Sequence, residues 1–155
     1  MLTEARSRLA QAQTDLVRAL VAQGPIPGGF DEARVKAAAR ALVSKRRQSL
    51  MRAWPRIAKL LGGAFVSRFD EYAASHPLPA SASTLADGRA FLRWLGSMSD
   101  ELAVEALSFD LRFLDTPTRL RRRRWGIQYA RLANVRVLAV RIPWLGERWW
   151  RFSAN

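Results

Sequence analysis

The residues of this chain best suited to act on another molecule are arginines interleaved with aromatics near its end. From Arg119 to Ser153 the sequence reads RLRRRRWGIQYARLANVRVLAVRIPWLGERWWRFS, and from 119 onward ten arginines face one acid, Glu147, a net of +9 out of +13 for the 155 residues. Guanidinium groups make paired, planar hydrogen bonds to carboxylates and phosphates, and Trp, Tyr and Arg dominate binding hot spots. The chemistry on offer is recognition of an acidic partner. Bond making is not expected: there is no Cys, His76 is alone, and the acids are dispersed, so neither catalytic nor metal-ligating residues are assigned.

The elements that would carry these residues change character along the chain. Before about residue 115 the apolar spacing is helical. Leu2, Leu9 and Leu16, with Ala5, Ala12 and Ala19, form a stripe for a helix over 2–23 that packs through its alanines. Gly24 ends it, and Asp31 caps a second helix over 31–53. Lys45, Arg46 and Arg47 on that helix are expected to be a solvated face. Trp54-Pro55 breaks the pattern, and a third helix runs through Ile57, Leu60 and Leu61 to Gly62-Gly63. Phe65, Val66, Phe69 and Tyr72 mark a fourth, and His76 is expected to cap the proline-bearing loop that follows. Thr84 would cap a fifth with Leu85, Phe91, Leu92 and Leu95 inward. Ser99 opens a sixth through Leu102, Val104, Leu107, Leu111 and Leu114, closed by Thr116-Pro117.

After that the period becomes two. Trp125, Ile127 and Tyr129 share one face of a first strand. Val135, Val137 and Ala139 share one face of a second, and Leu138, Val140 and Ile142 the other, which makes it the central strand. Leu132-Ala133-Asn134 and Pro143 to Gly146 would be hairpin turns, with a third strand from Glu147 to Ser153. The expected fold is therefore α+β: about six helices in an N-terminal bundle over 1–115, then an antiparallel sheet of two to three strands over 119–155. Its outer strands would offer unpaired backbone groups to another extended chain. Trp125, Tyr129, Trp144, Trp149 and Trp150 are either core or interface anchors. No segment has the length of apolar sequence that a membrane span requires, and the charged start is unlike a signal peptide, so a cytoplasmic protein with no membrane partner is expected.

The middle of the chain resembles a known pattern. Arg46 and Arg47, Trp54-Pro55, Leu61-Gly62, Phe65, Phe69 and Tyr72, His76-Pro77 and Pro79, Gly88, then Phe91, Leu92 and Leu95 follow the order seen in HvfC/MbnC-like proteins, although Phe is commoner than Trp54 before the proline. The resemblance spans about 1–96, and the Arg-rich strands ending in Gly146 and Trp149-Trp150 look similar to an actinobacterial branch. It implies a non-catalytic partner, in a heterodimer, of a multinuclear nonheme iron-dependent oxidative enzyme. That enzyme would be a TIM barrel that modifies ribosomally made precursor peptides, and the iron would belong to it, with no cofactor in this chain. Such partners bind the precursor's leader by strand addition to a C-terminal sheet.

With an acidic leader as the ligand, the candidate peptide-binding residues are Arg121, Arg122, Arg123, Arg124, Trp125, Ile127, Tyr129, Arg131, Arg136, Arg148, Trp149, Trp150 and Arg151. The alternative is nucleic-acid binding, with the terminal hairpin as the wing of a winged helix, since arginine with interleaved aromatics also suits phosphate contact and base stacking. Against it, the helices carry no distinct helix-turn-helix signature.

Overall fold

The computed structural model describes residues 2–22, 24–78, 82–96, 99–115, 120–133 and 135–153. The fold is α+β with the helices first: α1 (Leu2–Ala22), α2 (Glu32–Ala53), α3 (Pro55–Leu61), α4 (Ala64–Ser75), α5 (Thr84–Leu95) and α6 (Asp100–Arg112). Five strands follow: β1 (Phe113–Asp115), β2 (Leu120–Arg122), β3 (Gly126–Arg131), β4 (Val135–Ile142) and β5 (Gly146–Ser153). The β1 and β2 strands form an antiparallel pair, and β3-β4-β5 an antiparallel three-stranded sheet. The chain divides into two compact units, Met1–Ser49 with Val66–Pro79, and Leu50–Phe65 with Ala80–Asn155.

In the first unit Ala19, Val35, Phe69, Tyr72 and Ala73 are buried. Two sequence expectations are corrected here. Arg46 is no solvated side chain: its guanidinium lies over the rings of Phe69 and Tyr72 and donates to the His76 carbonyl at 2.8 Å. Arg47 pairs with Asp70. Stacking and pairing hold these cations where periodicity alone placed them in solvent. The heptad stripe of α1 likewise does not pack along its length, because Ala5 and Leu9 are exposed and burial begins only near Leu16 and Ala19. His76 stacks on Tyr72, its Nδ1 near Ser75 Oγ and the Tyr72 carbonyl.

The second unit carries the sheets. Trp54 lies between the end of α2 and α3: the ring stacks on Phe109 with centroids 5.1 Å apart, and the indole N–H donates to Glu105 Oε2 at 3.0 Å. Arg56 holds the other Glu105 oxygen at 2.6 Å. A phenylalanine at 54 would offer no such donor, so the indole suits the buried carboxylate of Glu105. Gly88 lies against this group, where a Cβ would come within 2.5 Å of Leu50 and 3.2 Å of Trp54. A side chain at 88 would force the buried Leu50 and the Trp54 ring to shift.

Helix caps follow sequence closely. Asp31 Oδ1 accepts from Arg34 N, and Ser99 Oγ from Leu102 N. For α5 the cap is Ser83, accepting from Ala86 N, one residue before the expected Thr84. At its other end α6 stops earlier than its apolar spacing suggests. Phe113 is extended, and Phe113–Asp115 pairs with Leu120–Arg122 instead of adding another helical turn, so Leu114 lies on a strand. The stop signal Thr116-Pro117, together with Pro79, Arg119 and Asn134, lies outside the described residues.

Candidate functional site

Helix α6 positions the three-stranded sheet. Leu107 and Leu111 pack against Val137 and Ala139, with Ala130, Leu132, Val135 and Trp149 around them. Burying each leucine side chain stabilises this packing by about 1.5–3 kcal/mol. Register then fixes the rest, because residues directly opposite each other on neighbouring strands share a face. Ala130 faces Val137, and Ala139 faces both Gln128 and Trp149, all on the α6 side.

The other face is open. In its rows Val140 stands between Ile127 and Arg148, Leu138 between Tyr129 and Trp150, and Arg136 between Arg131 and Phe152. Ile127 is 62% exposed, Tyr129 59%, Phe152 50% and Trp150 44%. So many exposed apolar groups side by side make this face a candidate contact surface. Among the described residues no acid of the sheet lies on this face, and Arg131 stands directly opposite Arg136. Like charges in that arrangement repel, and an anion between them would relieve the repulsion.

Glu147, the one acid of the terminal stretch, is on the α6 side and already engaged. Arg112 donates to it twice, Nε to Oε1 at 2.7 Å and Nη2 to Oε2 at 2.8 Å, and Arg141 Nη1 reaches Oε1 at 2.6 Å. The Arg112 hydrogen bonds, with further help from Arg141, outweigh partial burial and hold its carboxyl below the usual range. The clamp ties the start of β5 to the end of α6 and to β4. It leaves Arg148 and Arg151 on β5 with no ionic partner among the described residues.

The candidate residues thus separate into groups. Ile127, Tyr129, Arg131, Arg136, Arg148 and Trp150 come together on the open face. Trp149 is half-buried against the α6 cluster, and Arg151 is exposed on that same side opposite Val137. Arg121 and Arg122 are exposed on β2, paired with Leu114 and Phe113. Arg123 is half-buried, its backbone N–H donating to the Arg112 carbonyl at 2.8 Å and its Nε to the Phe113 carbonyl at 3.2 Å. Arg124 and Trp125 lie just before β3, with Trp125 71% exposed. Neither Trp125 nor Tyr129 is core.

Phe152, Leu138, Val140 and Ile142 also lie on the open face and were not among the candidates. Strict alternation from Trp150 places Phe152 beside it, so that signal was present in the sequence. Trp144, in the β4–β5 turn, is fully exposed with φ 75°, a left-handed conformation that is unusual for a bulky residue.

On the rims, β3 runs close to the end of α6, where a Cβ on Gly126 would lie 3.0 Å from the Leu111 carbonyl oxygen and Gln128 Nε2 donates to the Asp110 carbonyl. The β5 strand pairs with β4 alone, and among the described residues no strand of this chain lies along its other side.

This fold and sequence define a class. Over residues 10–97 the chain matches the family described as SCO6045-like, C-terminal domain, and it belongs to that family. The match runs from within α1 through α5 and ends before α6 and the sheets. A UPF0276 protein of Streptomyces avermitilis is 42% identical over 74 residues, a segment that is 48% of this chain and 15% of that relative. No solved structure matches. Among the described residues no three or more His, Cys, Asp or Glu side chains cluster as a metal site would need, and no helix is long and apolar enough to cross a membrane.

Proposed function

We propose that this chain is a non-catalytic partner subunit that binds the acidic leader of a ribosomally synthesised precursor peptide and delivers the peptide to an iron-dependent oxidative enzyme. The leader adds as a further strand to the terminal sheet. The chemistry, and the iron, belong to the other polypeptide, a multinuclear nonheme iron barrel.

The observation that carries this reading is the β5 rim. A strand whose outer side is unpaired among the described residues carries Arg148 and Arg151, and Glu147, the one acid on β5, is bound to Arg112 and Arg141. An extended acidic segment would gain main-chain hydrogen bonds from the rim and charge-assisted ones from the guanidinium groups. The choice of a peptide over other anions, and of an iron enzyme as partner, rests on the HvfC/MbnC-like order of residues from Arg46 to Leu95. The relative lends support to an accessory role, since a similar segment there is a small part of a much longer chain.

The test is purification of the tagged full chain from its native host after nuclease treatment, with co-purifying species identified by mass spectrometry and metal analysis. An iron-containing enzyme together with a small acidic-leader peptide is the expected result. Partners that vanish with the nuclease would overturn it.

One observation favours a second reading. Tyr129, Trp150 and Phe152 on a sheet face with Arg131, Arg136 and Arg148 make an arrangement on which unpaired bases could stack while their phosphates meet arginine. A single-stranded nucleic acid would then occupy the open face, and its binding would fall steeply with salt.

A further inference from the structure

Taking the peptide-binding reading as its basis, we propose that β5 selects its peptide by register: it reads five successive residues as apolar, acidic, apolar, any, acidic in the peptide's N-to-C direction. The register of β5 supplies the argument. A strand added beside it would place each residue on the same face as the β5 residue it opposes. Every pairing in the sheet is antiparallel, and antiparallel pairing is slightly the more stable per residue, so the peptide runs opposite to β5. Its residues then meet Phe152, Arg151, Trp150, Trp149 and Arg148 in turn.

Each position asks for a particular chemistry. Phe152 and Trp150 are about half exposed on the open face, and an apolar neighbour would cover them further. Arg151 is exposed on the α6 side and Arg148 on the open face, and neither has an ionic partner among the described residues. A carboxylate beside each would be paired, and a lysine repelled. Trp149 is held against Leu107, Leu111, Val137 and Ala139, so its ring is committed and makes little demand on its neighbour. Acidic side chains on opposite faces of one strand also explain why charge alone would select poorly: slid by one place, the same peptide puts its two carboxylates beside Phe152 and Trp149, or beside Trp150 and Glu147.

The test is fluorescence anisotropy with the full chain and labelled synthetic peptides. One carries Val-Glu-Leu-Thr-Glu, and a second carries the permuted Glu-Val-Glu-Thr-Leu, which has the same composition. A third repeats the first with alternate backbone amides methylated. The first should bind about tenfold more tightly than the second, from several cross-strand pairs acting together. Arg148→Glu, an exposed change checked for folding by circular dichroism, should reverse the preference between the first peptide and its Lys-ended counterpart. Equal binding of first and permuted peptides, with loss on backbone methylation, would overturn the register code while leaving strand addition standing. Indifference to methylation would overturn both. So would displacement of the peptide by any single-stranded oligonucleotide of equal charge, and that result would move the open face to nucleic acid.

Discussion

Glu147 shows how much one side chain can organise. It is the only acid among the terminal residues, yet it serves the fold, pinning β5 to α6 and β4. Glu147→Gln should cost about 1–3 kcal/mol in urea unfolding, since charge-assisted hydrogen bonds are lost from a side chain only 16% exposed. Its folded carboxyl titrates lower than an unfolded one, so its contribution is complete above the unfolded value near about 4.3 and disappears as pH falls through the lower folded value. The gap between wild type and Glu147→Gln should therefore close on acidification. A mutant deficit unchanged down to strongly acid pH would contradict this. Trp144 is the opposite case, an exposed residue in a strained conformation. Trp144→Gly should raise stability by about 0.5–1 kcal/mol, because relief of left-handed strain exceeds glycine's added unfolded-state entropy. If thermal unfolding shows a loss instead, the turn is not strained in solution.

At the level of elements, the sheet has two faces with different duties. Val137→Ala on the α6 side should destabilise by about 1–3 kcal/mol, through lost burial and a residual cavity. Tyr129→Ser on the open face should change stability by no more than about 0.5 kcal/mol while weakening ligand binding. Chemical denaturation and anisotropy on the same two variants separate these effects; comparable destabilisation by both would mean that the open face is covered within the protein. The strands themselves were legible from period two, and the helices from capping and apolar spacing. The β1–β2 pair was not. Phe113 and Leu114 continue the apolar spacing of α6, so nothing local distinguishes a further helical turn from a strand, and only pairing with Leu120–Arg122 decides it. Alternation similarly showed that Ile127 and Tyr129 share a face, and that Leu138 and Val140 share one. It could not say which side α6 would cover, because the central strand is apolar on both.

For the whole molecule, a charge of +13 attracts acidic partners of any kind and so cannot choose among them. Salt dependence can. Binding of an acidic peptide through a few guanidinium contacts should lose no more than about tenfold between about 50 and 200 mM salt, whereas a nucleic acid neutralised at about 6–10 phosphates would lose about a thousandfold or more. A steep slope with the peptide would argue for diffuse charge attraction without strand pairing. Apart from the β1–β2 pair, the sequence by itself determined the order of elements, their helical or extended character, most of the caps and the concentration of arginine at the end, because these depend on neighbours a few residues apart. The tertiary structure decided which arginines are already engaged by Glu147, Asp70 or aromatic rings, which face of the sheet stays open, and which rim remains unpaired. Those depend on groups distant in the chain meeting in space, and no local pattern encodes such meetings.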